Sequence, residues 1–179
     1  TNDNTSSYTF SSTEPGTISY GGSCSSSSDN ATKDNNTITF NVLVEDTYSN
    51  CTVKVTDNAT NASNILPVSS FTIDTTAPTL AEVTAVTTPT KITSPSYTFS
   101  SNETGAITYV GSCSSSTTGA SANNNTINFD NMSEGVHGNC FVKVTDNASN
   151  ISNNLPVSSF TIDTTAPTVS TVSSSTSNG

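Results

Sequence analysis

Acidic side chains stand at three points where strand-like segments end, and together they predict a cation site. Asp74 precedes a Thr-Thr-Ala-Pro linker, Glu103 lies in an Asn-Glu-Thr-Gly turn, and Asp146 opens an Asp-Asn-Ala-Ser-Asn motif. The last residue of that motif, Asn150, adds an amide oxygen. Ca²⁺ prefers such oxygen ligands and accepts roughly six to eight of them. The same residue types are also common in turns, where they bond to their own backbone.

Matching acidic residues occur elsewhere in the chain. Glu14 and Asp57 stand 89 positions before the second and third of these carboxylates, and Asp163 stands 89 positions after the first. We therefore expect Glu14 and Asp57 to form one half of a further Ca²⁺ site. Asp163 would form the opposite half of another, each half being completed by a neighbouring domain.

Four cysteines form two pairs with the same spacing of 27 residues, Cys24 with Cys51 and Cys113 with Cys140. Alternation with nearby apolar residues turns each cysteine toward the core face of its predicted strand. We expect a disulfide within each pair, because two cysteines and one unmatched histidine are a poor zinc ligand set. Disulfides indicate an oxidising compartment, and hence an extracellular or cell-surface protein.

An internal repeat with a period of 89 residues organises these motifs. The stretch 53–61 recurs with a single change at 142–150, and the stretch 66–79 recurs unchanged at 155–168. A unit of about 90 residues is the size of one small β-sandwich domain. The repeat therefore predicts one domain per period.

The repeat also sets the domain boundaries. We expect a first domain at 1–74, a linker at 75–78, a second domain at 79–163, and a linker with a further strand at 164–179. By this alignment, the first domain lacks the strand that opens the second. The further strand either begins a following repeat or pairs with another copy of the protein.

Alternation of apolar and polar residues predicts strands throughout, and no segment shows helical periodicity over three turns. In the second repeat, strands are expected at 80–86, 96–101, 106–110, 126–129, 140–145 and 157–162, with an irregular edge strand within 112–125. Sparse inward-facing residues suit a thin sandwich of two sheets. We predict an all-β fold of two tandem immunoglobulin-like β-sandwich domains.

Composition argues against several classes of function. Fourteen acidic residues and four lysines give a net charge of −10, which disfavours nucleic-acid binding. No apolar run approaches the roughly 18 residues of a membrane span. The neighbours of the single histidine, His137, supply no nucleophile–base pairing that repeats in the other unit, so we predict a solvated loop residue and no enzymatic activity. Frequent Asn-x-Ser/Thr triplets could carry glycans in an N-glycosylating host.

Two copies of Val-Thr-Asp-Asn-Ala-x-Asn, at 55–61 and 144–150, together with the Asp-Thr-Thr-Ala-Pro linker, resemble bacterial immunoglobulin-like repeats. Such repeats occur in tandem in very long surface adhesins and biofilm-matrix proteins. The resemblance implies a stalk or spacer whose array is stiffened by Ca²⁺ between domains. That family often has glycine where Thr60 and Ser149 stand here, which predicts a differently shaped loop.

Two classes of function remain. The first is a structural extracellular repeat protein, namely a stalk, an adhesin shaft or a self-assembling surface filament, whose partners are neighbouring copies. In the filament, the segment 168–179 would add a strand to the open domain of another copy and bury Val169 and Val172. The alternative is an extracellular binding module, lectin-like or receptor-binding, built on the loops at 25–36 and 114–125.

Overall fold

The computed structural model describes residues 1–172, and this part of the chain is all-β, with seventeen strands and no helix. We call residues 1–74 the first unit and residues 79–163 the second unit. The strands of the first unit are β1 (Ser7–Ser12), β2 (Gly16–Gly21), β3 (Asn30–Ala31), β4 (Asp34–Thr39), β5 (Asp46–Tyr48), β6 (Thr52–Thr56), β7 (Leu66–Pro67) and β8 (Phe71–Ile73). The strands of the second unit are β9 (Leu80–Thr84), β10 (Ser96–Ser101), β11 (Gly105–Gly111), β12 (Gly119–Ala120), β13 (Asn123–Asn128), β14 (Gly135–His137), β15 (Cys140–Thr145), β16 (Leu155–Pro156) and β17 (Phe160–Ile162).

The sheets of the two units match strand for strand. Each unit has one four-stranded antiparallel sheet, in the order β3-β2-β6-β7 in the first and β12-β11-β15-β16 in the second. Each also has a two-stranded sheet, β5-β8 or β14-β17. The remaining sheet differs, because β4-β1 has two strands whereas β13-β10-β9 has three. The all-β prediction is therefore confirmed, with several antiparallel sheets as a sandwich requires.

Buried apolar side chains form two clusters that share no residue, one within each unit. Alternate residues of the longer strands point into these clusters, as the period of two requires. In the second unit, Tyr97 and Phe99 of β10 and Val142 and Val144 of β15 are fully buried, as the alternation predicted. Full burial of each such apolar side chain stabilises the fold by roughly 1.5–3 kcal/mol.

Strand β9 covers one side of the second core and has no counterpart in the first unit. It pairs with β10 with Leu80 opposite Ser101, and Leu80 packs against the core cluster. Strand β1 corresponds to β10, but within residues 1–172 it pairs only with β4. The first core is more exposed as a result: Val55 is 9% exposed, whereas its counterpart Val144 is completely buried.

Two predicted strands are shorter in the structure than their alternation predicted. Of the segment predicted at 157–162, only Phe160–Ile162 forms a strand, β17, which pairs with β14. Strand β16, which pairs with β15, lies just before the predicted segment. The segment predicted at 80–86 ends its pairing with β10 at Thr84, although Val86 is buried in the core. Further along, Thr90 forms a parallel bridge with Ile162.

His137 lies in β14 rather than in a loop, and it is half-buried. Its ring stacks on Phe160 with centroids 5.3 Å apart, and Nε2 lies 2.9 Å from the carbonyl oxygen of Ser133. The counterpart in the first unit, Tyr48, stacks on Phe71 at the same 5.3 Å. The expectation of a solvated loop residue was wrong, because this position supports an aromatic ring of the core in both units.

Residues 1–172 contain no helix that is long and apolar enough to cross a membrane.

Candidate functional site

The Asp-Asn-Ala-Ser-Asn motif folds into a closed loop around the carboxylate of Asp146, directly after β15. Oδ1 accepts the backbone N–H groups of Ala148 and Asn150, both at 2.8 Å, and Oδ2 accepts the side-chain amide of Asn150 at 2.8 Å. Burial would raise the pKa of Asp146, but the hydrogen bonds, chiefly those from Asn150, outweigh it and lower the pKa. Ser149 has φ of +76°, and Thr60 has +72° in the matching loop, a region that glycine adopts more readily.

Three carboxylates meet where the first unit joins this loop. Asp74, Glu103 and Asp146 each place an oxygen within 4.8 Å of the other two. Asn150 connects Asp74 with Asp146, because the side-chain amide that donates to Asp146 also donates to the carbonyl oxygen of Asp74 at 2.9 Å and lies 3.5 Å from Oδ1 of Asp74. The four residues expected at the junction therefore lie together.

The three negative charges of this cluster repel one another. Burial raises the pKa of Glu103, and the negative charges of Asp74 and Asp146 raise it further. A carboxylate offers about four acceptor positions, and three on Asp146 are taken by N–H groups, so one remains open. A proton on Glu103 or a cation among the three groups would relieve the repulsion. An all-oxygen ligand set of this kind suits Ca²⁺ or Mg²⁺.

The remaining acidic candidates lie apart from this cluster. Asp57 closes the matching loop of the first unit, where Oδ1 accepts the N–H groups of Ala59 at 2.9 Å and Asn61 at 2.8 Å. Glu14 lies in the turn between β1 and β2, and Asp163 follows β17. In the part of the chain that the structure describes, none of the three joins a cluster of three potential metal ligands.

Two glutamates that the sequence analysis missed hold the linkers. Oε2 of Glu45 accepts the hydroxyl groups of Thr76 at 2.7 Å and Thr75 at 3.2 Å. The bond from Thr76, followed by the backbone N–H of Thr75, lowers the pKa of Glu45. Glu134 accepts the hydroxyls of the threonine pair 164–165 in the same way. The available signal was the 89-residue spacing between the two glutamates.

Both predicted disulfides are present, Cys24–Cys51 and Cys113–Cys140, with Cα atoms 5.3 Å apart in each. All four cysteines are buried in the cores. Cys140 opens β15 opposite Gly111, which places the second disulfide where β15 meets the end of β11. No thiolate is left among these cysteines to bind a metal. Two disulfides are typical of an oxidising, extracellular setting.

The segment that follows β17 lies on the surface. Val169 is 98% exposed and Val172 is 92% exposed, and neither belongs to a strand. Residues 173–179, the rest of the predicted donor segment, lie outside the described residues. The two valines are therefore available to another surface.

Comparison with known proteins gives no assignment for this chain. No family model matches it, and the search among curated proteins finds no match. Function is therefore inferred from the residues and their geometry.

Proposed function

We propose that the chain is a structural extracellular repeat protein, with two tandem immunoglobulin-like β-sandwich domains that form part of a stalk, an adhesin shaft or a surface filament. The observation that carries this proposal is the junction between the units. There, the side chain of Asn150 in the second unit binds Asp74 at the end of the first. Both residues recur at the same spacing as the repeat, so the same contact can join any unit to the next.

The linker between the units is held at both ends. Glu45 of the first unit binds Thr75 and Thr76, and the N–H of Thr79 donates to Oδ1 of Asn102 in the second unit at 2.7 Å. Pro78 fixes one backbone angle between these contacts. A short linker with so many partners favours a fixed angle between consecutive domains, which is what a shaft needs.

Low-resolution imaging of the purified chain tests this function. Small-angle X-ray scattering together with negative-stain microscopy should show two bodies joined end to end, in single molecules or within longer rods. One merged body, or two bodies at random angles, would contradict the proposed spacer.

Calcium is expected to stiffen and stabilise this junction. After treatment with a chelator, adding Ca²⁺ should raise the melting temperature of the second unit and narrow the distribution of inter-domain angles, because a bound cation neutralises the three carboxylates. Calorimetric titration measures the binding, and scanning calorimetry measures the melting shift. Absence of both heat and shift would remove calcium from the proposal.

Glu103→Gln is the matched variant for that experiment. It keeps the shape of the side chain, removes one of three repelling charges, and should therefore melt at a slightly higher temperature than wild type without calcium. The same change removes a ligand, so the variant should bind Ca²⁺ at least tenfold more weakly than wild type. Glu14→Gln, in the matching turn of the first unit, should leave the titration of the junction unchanged.

A further inference from the structure

The free edge of β1 borders a groove of about 200 Å³ in the first unit, lined by both polar and apolar side chains. Its apolar lining consists of Phe10, Val53, Val55 and Leu66. In the second unit, the matching place is covered by β9, whose Leu80 packs against the core cluster. The groove is therefore a strand-shaped gap in an otherwise repeated structure.

A second surface beside the groove is uncovered in the same way. In the second unit, Asp146 and Ala148 of the closed loop are buried where the linker of the first unit arrives. In the first unit, Asp57 is half-buried and Ala59 is exposed, although the loop has the same hydrogen bonds. The groove and the loop are thus both uncovered in the first unit. In the second unit, the linker covers the loop and β9 covers the place of the groove.

We propose that this groove accepts residues 167–172 of a second copy of the chain as an added β-strand. The inference rests on the proposed structural function, for which it names the partner. Residues 163–168 repeat residues 74–79 without a change, and 74–79 is the stretch that leads into β9. Val169 then takes the place of Leu80, and Asp163 arrives beside Glu14 and Asp57.

Residues 167–172 of the same copy cannot reach this groove. Strands β6 and β7 are antiparallel, so Asp57 and Asp74 lie at opposite ends of the first unit, and the second unit repeats this arrangement. Strands of six residues span roughly 20 Å, so two units joined end to end separate Asp57 from Asp163 by about 40 Å. The six residues from Asp163 to Val169 reach at most about 20 Å. When residues 167–172 fill this groove, they therefore come from another molecule.

The second unit also shows which valine enters the groove. Val83, the counterpart of Val172, is 47% exposed and lies at the β-bulge between β9 and β10. The matched register buries Val169 and leaves Val172 outward, which revises the expectation that both are buried.

On the acceptor side, Ile65 is 65% exposed next to Leu66, where the second unit has Asn154.

Substitutions at the two valines test the inference in the full chain. Both side chains are exposed in the single copy, so neither Val169→Asn nor Val172→Asn should alter its folding. Sedimentation over a range of concentrations should show association of wild type and of Val172→Asn. Association of Val169→Asn should be at least tenfold weaker. A monomeric wild type, or equal behaviour of the two variants, would overturn strand donation.

A peptide of residues 163–172 identifies the groove itself. Added to the Val169→Asn chain, it should raise the melting temperature of the first unit by several degrees, because a ligand of the folded state stabilises that state. The same peptide with Val169→Asn should give no shift. Ile65→Asn, which supplies the residue that the second unit has beside β9, should weaken peptide binding without abolishing it, whereas absence of any melting shift with the wild-type peptide would exclude this groove.

These outcomes separate the two proposals. If wild type stays monomeric but imaging shows two bodies joined end to end, strand donation fails and the structural function stands. If imaging shows a single merged body, the structural function fails regardless of the association measurements.

Discussion

Replacing Cys24 and Cys51 with alanine is expected to unfold the first unit, whereas replacing Cys113 and Cys140 should leave the second unit folded and less stable. Each disulfide joins residues 27 positions apart, and closing such a loop contributes roughly 3–4 kcal/mol. The two units lose the same contribution. The units differ in the stability that remains without the disulfide, because β9 covers only the second core.

The starting stability of the first unit is the reason for the unequal outcome. Tyr8 and Phe71 are half-buried there, while their counterparts Tyr97 and Phe160 are fully buried beneath the segment that includes β9 and Val86. Apolar area left in contact with water gives up roughly 25 cal/mol per Å² of stabilisation. A small domain has only a few kcal/mol to lose before it unfolds.

Scanning calorimetry of the monomeric chain measures both effects. Val169→Asn provides the background, because an added strand from another copy would mask the weakness of the first core. The parent chain should show two transitions, with the first unit melting at the lower temperature. Replacing Cys24 and Cys51 should abolish the lower transition, and replacing Cys113 and Cys140 should shift only the upper one. Equal shifts in the two double variants, with both units still folded, would contradict the unequal cores.

Much of the strand pattern could be predicted, because alternation along a strand is a local property. Strands β10 and β15 have the predicted bounds, and the inward side chains of both are buried. The disulfides were predictable for the same reason, since each cysteine shares its face with buried neighbours. Asp74 and Asp146 are far apart in the sequence, and they lie in one site because the strands that precede them end at the same junction.

Features that depend on the partner of a strand could not be predicted. The segment 157–162 alternates along its length like a single strand, and nothing local shows that only Phe160–Ile162 forms a strand while the pairing with β15 ends at Pro156. Whether Val172 would face inward depends on a bulge where the pairing shifts between Thr98 and Phe99. The linker contacts of Glu45 depend on loop geometry, which composition does not specify.

Asp146→Ala is expected to lower the free energy of unfolding of the second unit by about 2–3 kcal/mol, the range for losing hydrogen bonds to a charged acceptor. The substitution leaves the N–H groups of Ala148 and Asn150 without their partner in a largely buried loop. Asp57→Ala removes the same bonds in the more exposed loop of the first unit, where water can replace them, and should cost less. Urea unfolding at neutral pH measures both, and equal losses would show that burial by the linker does not matter.

The pH dependence of the same variants separates the two carboxylates of the junction. The pKa of Asp146 is lowered, so its contribution is complete above the unfolded value of about 3.9 and is lost as the pH falls through the folded pKa. The pKa of Glu103 is raised, so its charge opposes folding at neutral pH, and stability rises as the pH falls through that raised pKa. Without calcium, mild acid should therefore first stabilise the second unit and stronger acid should destabilise it. Glu103→Gln should remove the rise and Asp146→Ala should weaken the fall, so a wild-type profile that only declines would refute the repulsion among these charges.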